Sequence, residues 1–169
     1  MELSYGLGKV IDIDIPKLLH KNDGLIFTSS IAPYMPGTCN KILKWKPAED
    51  NSIDFKAIVK DEITNGIPKI ELHSWEGGDS YSYFADLTVT PEEWEKFKLN
   101  ENFNGSIIEV TIHSIYEEPY KWIYMRNRDD KPHGNHISIV NKILVSIKDS
   151  ISSDEVLPYL FLFRLLMLN

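Results

Sequence analysis

From residue 53 onward, apolar and polar positions alternate in short runs separated by turn residues, the signature of half-buried strands. "IDFKAIVK" (53–60) is the first run. "IPKIELHSW" (67–75) follows the turn signal Asn65-Gly66, and "YSYFADLTV" (81–89) follows Gly77-Gly78. "GSIIEVTIHSI" (105–115) and "YKWIYMR" (120–126) are two more. Between the third and fourth runs, "TPEEWEKF" predicts a short helix, with Thr90 as N-cap, Pro91 at the first helical position and Glu93 closing a capping box. Five strands with a helix between the third and fourth is the order of an OB-fold barrel, expected here as an antiparallel one.

Outside that stretch the period differs. "GLIFTSS" (24–30) and "KILKWKP" (41–47) are two strand candidates separated by the Pro- and Gly-punctuated loop "IAPYMPGTCN", and residues 1–20 could hold one helix. After residue 134, Val140, Ile143, Leu144, Ile147 and Ile151 recur at helical spacing on one face. Ser152-x-x-Glu155 is a second capping box, so another helix is expected from there into the apolar tail, with Pro158 able to bend it. The predicted class is α+β, mainly β.

The chain has 169 residues, of which 43% are apolar, enough for a globular core. Its one cysteine, Cys39, excludes an intramolecular disulfide and a cysteine-based zinc site. The net charge of −7 is unlike a protein that coats nucleic acid, so any action on nucleotides needs a local cationic site. No secretory signal is read at the N-terminus. The tail "LPYLFLFRLLMLN" is interrupted by Arg164 and shorter than the roughly 20 apolar residues of a spanning helix, so a packing or interface helix is expected and no membrane partner.

Three clusters could carry chemistry. In Lys44-Trp45-Lys46, strand alternation sends both lysines to one face and Trp45 to the other, towards a core. Two adjacent ammonium groups repel unless an anion lies between them, although a solvated strand face has the same pattern. In "WIYMRNRDDK" (122–131), Arg126, Arg128 and Lys131 surround Asp129 and Asp130. Such cations suit polyphosphate oxygens; an acid among them could orient an arginine or touch a metal, and a surface ion-pair network would look alike. Asp23, before Gly24 and an apolar strand, could hold Mg²⁺ at a cleft edge or simply make a turn. The histidines make no metal spacing: His133 and His136 lack accompanying ligands, and His20, His73 and His113 read as structural or surface residues.

The order of these signals is more informative than each alone. "LSYGL", "DGLIF", "ILKWKP", "NSIDF" and "RNRDDK", with Asn135-His136 beyond, resemble the GTP:RNA guanylyltransferases, the eukaryotic mRNA capping enzymes. "DGLIF" resembles that family's motif IV, "ILKWKP" motif V and "RNRDDK" motif VI. The resemblance implies that residues 1–52 are the end of a nucleotidyl-transferase domain, 53–134 an OB-fold domain and 135–169 C-terminal helices. It implies transfer of GMP from GTP to the 5′-diphosphate end of nascent mRNA, with Mg²⁺ or Mn²⁺. Asp23 would then be catalytic and metal-bearing. Lys44 and Lys46 would contact the phosphate under substitution, and Arg126, Arg128, Asp130 and Lys131 would close over the β and γ phosphates. It also implies a nuclear setting, with the RNA polymerase II tail and an RNA triphosphatase as partners.

The family's nucleophile lies in Lys-x-Asp-Gly followed by Arg. Lys21-Asn22-Asp23-Gly24 has that outline, but Leu25-Ile26-Phe27 follows and the Lys-Trp-Lys motif comes too soon. Lys21 is therefore not expected to be the nucleophile, and none is expected in these residues. The resemblance implies the C-terminal part of a longer enzyme, whether fragment, truncated product or split subunit. Without the preceding half, the strands at 24–30 and 41–47 are expected to show an uncovered apolar face, and this chain alone to be inactive. A non-catalytic OB module binding RNA or a capping or transcription partner is the alternative, and a polynucleotide ligase fragment a further one.

Overall fold

A computed structural model describes residues 2–116, 119–152 and 155. They fall into two compact units. One holds the described residues up to Ala48 and from Ser150 on; the other is Glu49–Asp149.

In the first unit, an irregular helical stretch runs from Ser4 to Lys17. It comprises a 3₁₀ turn (Ser4–Gly6), α1 (Leu7–Lys9), a π turn (Val10–Asp14) and a second 3₁₀ turn (Ile15–Lys17). Leu7 is buried in this stretch. Strands β1 (Leu25–Thr28) and β2 (Ile42–Trp45) pair antiparallel, with Leu25 opposite Trp45 and Phe27 opposite Leu43. Apolar groups of this ribbon lie in solvent on both faces rather than on one: Ile26, opposite Lys44, is 68% and Leu43, opposite Phe27, 64% exposed.

Gly24 sets how the chain enters the ribbon. Its φ is +119°, and a Cβ there would lie 2.0 Å from the Trp45 carbonyl oxygen and 3.0 Å from the Lys46 Cα. No side chain fits between two backbones at that separation. Asn22 fixes the same turn by accepting the Gly24 N–H on Oδ1 at 2.5 Å. Gly24→Ala should therefore destabilise the ribbon by about 2 kcal/mol or more, from positive-φ strain plus overlap with backbone. Loss of slow-exchanging amides in β1 and β2, with those of the barrel unit retained, is the measurement that checks it.

The second unit is a closed barrel in the order β3-β4-β5-β7-β6. Its strands are β3 (Ser52–Thr64), β4 (Ile67–Gly77), β5 (Ser80–Thr88), β6 (Ile107–Ile112) and β7 (Trp122–Asn127). The fold is OB-like and mainly β, as the alternating runs predict. Asn65 and Gly66, both at positive φ, make the tight turn between β3 and β4. The barrel departs from a wholly antiparallel one: β5 and β7 pair parallel through Leu87–Trp122 and Thr88–Ile123. Five strands cannot close a ring with every neighbouring pair antiparallel, so one pair must be parallel; helix α2 (Pro91–Phe97) lies in the connection from β5 to β6. Its capping box forms as expected, with the Glu93 N–H donating to Thr90 Oγ1 and the Thr90 N–H to Glu93 Oε2.

The core contains Ile53, Phe55, Ala57, Ile70, Leu72, Ile108 and Val110, all at most 1% exposed. Phe55 stacks on Phe84 and meets Trp122 edge-on. Helix α3 (Ile137–Asp149) buries Val140 and Ile147 in the same core, with Ile143 and Leu144 packed against it. Ser150, at φ +48°, ends α3 and leaves Ile151 beyond the helix face. The Ser152–Glu155 capping box is made, Ser152 N–H donating to Glu155 Oε2 and Glu155 N–H to Ser152 Oγ. The expected helix after it, with Pro158, and the whole apolar tail lie outside the described residues. Among the described residues no helix is long and apolar enough to cross a membrane.

Candidate phosphate-binding sites

In the ribbon unit, Lys44 and Lys46 share one face, as strand alternation requires. Both turn to a single oxygen: Lys44 Nζ donates to Asp23 Oδ2 at 2.8 Å, and Lys46 Nζ lies 3.3 Å from the same atom. The anion that relieves their repulsion is thus a carboxylate of the chain itself. Gly24 makes this possible by letting the residue before it lie beside the end of β2. Hydrogen bonds from Lys44 and then Lys46 hold the Asp23 carboxyl below its ordinary range. Trp45 is half-buried on the other side, its Nε1–H donating to the Ile151 carbonyl at 3.1 Å. Lys21 is exposed.

Asp23 does not fit a resident metal centre. It is one carboxylate occupied by two ammonium groups, and among the described residues no three metal-ligating acids, histidines or cysteines gather. His133 and His136 instead pack on Trp75, stacked at 4.7 Å and edge-on at 5.7 Å.

In the barrel unit, the end of β7 and the turn after it bring Arg126, Arg128, Asp130 and Lys131 to the β6 side of the barrel. The Arg128 N–H donates to the Ile107 carbonyl at 2.8 Å, which pins the backbone there. The Arg128 side chain is hydrogen-bonded to two carboxylates, and its Nη1 lies 3.6 Å from Oε2 of a third, Glu109. Its Nε and Nη2 fork to Asp130, each at 2.9 Å; its Nη1 reaches both oxygens of Asp54 at 3.0 and 3.1 Å. Lys131 Nζ also donates to Asp54 Oδ2. Arg126 donates to Glu109 Oε2 at 2.6 Å, the atom that also lies 3.6 Å from Arg128 Nη1.

The electrostatics follow from this packing. Hydrogen bonds from Arg128 carry the Asp130 carboxyl down to about 2. The Asp130 fork, and then the charge of Asp54, hold the Arg128 guanidinium protonated more firmly than usual despite its burial. Glu109 is half-buried, which would raise its carboxyl. Hydrogen bonds from Ser52 and Arg126, and the nearby arginine charges, outweigh that and lower it.

Asp54 is the hub, and the sequence pattern did not mark it. It is buried on β3, flanked by core residues Ile53 and Phe55. Asn135 grips its backbone in both directions: Asp54 N–H donates to Asn135 Oδ1 at 2.8 Å, and Asn135 N–H donates to the Asp54 carbonyl at 2.7 Å. Gly134 permits that approach, since a Cβ there would fall 2.7 Å from the Asp54 carbonyl oxygen. The segment after Lys131 therefore anchors the cation turn to β3.

An open groove of about 550 Å³ runs beside these cations, with Arg128, Lys131, Lys56, Tyr81 and His133 in its wall. Lys56 Nζ sits 4.7 Å from the Tyr81 ring centroid, and the Tyr81 hydroxyl is 3.1 Å from His133 Nδ1.

Fold and clusters together define an OB-like barrel with an arginine–lysine set and a ribbon with a lysine pair, the cations of both held by carboxylates of the chain. Comparison with known proteins specifies the family. Residues 50–157 match the mRNA capping enzyme, C-terminal domain, and residues 1–48 match the mRNA capping enzyme, catalytic domain. The chain belongs to the mRNA capping enzyme family. It is 39% identical to the mRNA-capping enzyme subunit alpha of Schizosaccharomyces pombe, over 97% of this chain and 42% of that protein. It is 36% identical to the protein of the same name from Yarrowia lipolytica, over 93% and 42%. It is 35% identical to that from Candida glabrata, over 92% and 43%. The chain thus spans about two fifths of the length of these relatives.

Proposed function

We propose that this chain supplies phosphate-binding elements of an mRNA guanylyltransferase, which transfers GMP from GTP to the 5′-diphosphate end of nascent mRNA. The observation that carries the reading is the convergence of Lys44 and Lys46 on one carboxylate oxygen. A non-bridging oxygen of the phosphate under substitution has the same charge and would take the same two ammonium groups. In this reading residues 1–52 end the nucleotidyl-transferase domain, 53–134 form the OB domain and 135–169 the C-terminal helices. Arg126, Arg128 and Lys131 serve the β and γ phosphates.

Mg²⁺ or Mn²⁺ would arrive with the triphosphate and neutralise part of its charge; Asp23 by itself does not make its site. The 5′-diphosphate RNA end is the acceptor. The RNA polymerase II tail, an RNA triphosphatase and the nucleus belong to the same reading.

Incubated alone with α-labelled GTP and Mg²⁺, the chain should form no lysyl-GMP adduct, because neither Lys21 nor any other residue here is expected to be the nucleophile. Joined in solution with the preceding half of the enzyme, it should support adduct formation and transfer to RNA, with GTP and not ATP. Labelling of Lys21 in the isolated chain would overturn the assignment, and labelling by ATP would favour a ligase. Failure with the preceding half present, alongside RNA binding in the groove of Lys56 and Tyr81, would favour a non-catalytic RNA-binding module.

A further inference from the structure

Arg128 cannot offer its Nε–Nη2 fork to a phosphate as it stands. Its Nε and Nη2, the edge that forks best to an oxyanion, are both committed to Asp130. Its Nη1 is committed to Asp54. The two carboxylates differ in how they can respond. The Asp54 side chain is 5% exposed and its backbone is fixed by Asn135, so it cannot leave without stranding buried cations. The Asp130 side chain is 66% exposed, and water can receive it. Its place opposite the guanidinium fork is where the oxygens of a phosphate would sit.

We infer that Asp130 is an exchangeable occupant of the phosphate seat on Arg128, displaced when phosphate binds, while Asp54 remains as the permanent partner that aims the guanidinium. Resting on the phosphate reading of this cluster, the inference gives Asp130 a role opposed to contact: it competes with the ligand. Holding the guanidinium paired and oriented in the absence of ligand keeps the site formed, and the exchange sets a threshold of affinity that a single weak anion does not pass. Inorganic phosphate should bind less well than a polyphosphate, whose further oxygens also engage Lys131, partly exposed at 35%.

The test is titration calorimetry of the full 169-residue chain with inorganic tripolyphosphate at low ionic strength. Asp130→Asn should tighten binding by about fivefold or more, because a charge-assisted pair no longer has to be broken. Structural damage would act in the opposite direction. Asp129→Asn makes the same change in net charge at the neighbouring exposed position and should tighten binding by clearly less. Arg128→Ala should remove most of the binding. If Arg128→Ala loses binding but Asp130→Asn is no tighter than Asp129→Asn, the exchange is wrong and the phosphate site stands. If Arg128→Ala leaves binding unchanged, or the parent chain does not bind, the phosphate reading fails and the exchange falls with it.

Discussion

Asp54→Ala should cost the barrel unit about 3–5 kcal/mol, the range for breaking a buried ion pair from one side. The Arg128 side chain is 13% exposed, and it and Lys131 both use the Asp54 carboxylate, so truncation leaves two cations facing a void in place of an anion. Chain geometry gives little relief. The Arg128 N–H is fixed to Ile107, and Asn135 holds residue 54 through its backbone whatever the side chain. Asp130 can keep the other edge of Arg128, and Glu109 Oε2 stays 3.6 Å from its Nη1, but that carboxylate is already shared with Arg126 and Ser52. Chemical denaturation followed by tryptophan fluorescence reads this directly, because Trp122 is buried in the same core. A loss under about 1 kcal/mol would mean that the cluster is worth no more than an exposed salt bridge, and that Asp54 is not its anchor.

Much of the barrel was legible because burial on one face imposes alternation, and alternation survives in sequence. Ile53, Phe55 and Ala57 against Lys56 and Ile58 mark β3 well. The strand runs on to Thr64, past the expected residue 60, because its last residues form an exposed hairpin arm with no core to shape their pattern. Pairing was less legible. The contact of Leu87 with Trp122 joins distant segments, and nothing local in either run states that their strands lie parallel.

The site divides in the same way. Lys44 and Lys46 share a face by the period of a strand, so the pair could be read directly. Their counter-ion depends on a backbone approach that Gly24 alone permits, and Asp-Gly in sequence looks like any turn. Asp54 was hidden for a related reason. As the polar residue of "IDF" it fits the alternation of an outward position, yet it is buried because its partners arrive from residues 128 and 131. The available signal was the charge count of "RNRDDK", where three cations face two acids; the missing acid lies on a strand far away in sequence.

Lys44→Ala and Lys46→Ala should each lower GMP transfer about 10²-fold or more once the preceding half of the enzyme is present, the scale for removing a group that stabilises charge at the reacting centre. Stability should barely change in either variant. Lys44 is 50% and Lys46 28% exposed, but their shared Asp23 is 68% exposed, and pairs with a carboxylate in solvent contribute little to folding. Unchanged melting with lost transfer therefore separates phosphate binding from structure. Loss of melting with transfer would make the pair a fold determinant instead. Lys21→Ala supplies the contrast, since the lysine is exposed two residues before Asp23 while Lys44 and Lys46 pair with that carboxylate. Transfer should remain close to the parent's in that variant. The label-transfer assay with α-labelled GTP and 5′-diphosphate RNA, run beside a thermal melt of each variant, decides the matter. Retention of transfer by Lys44→Ala, or its loss in Lys21→Ala, would move the chemistry from the lysine pair to the turn that precedes β1.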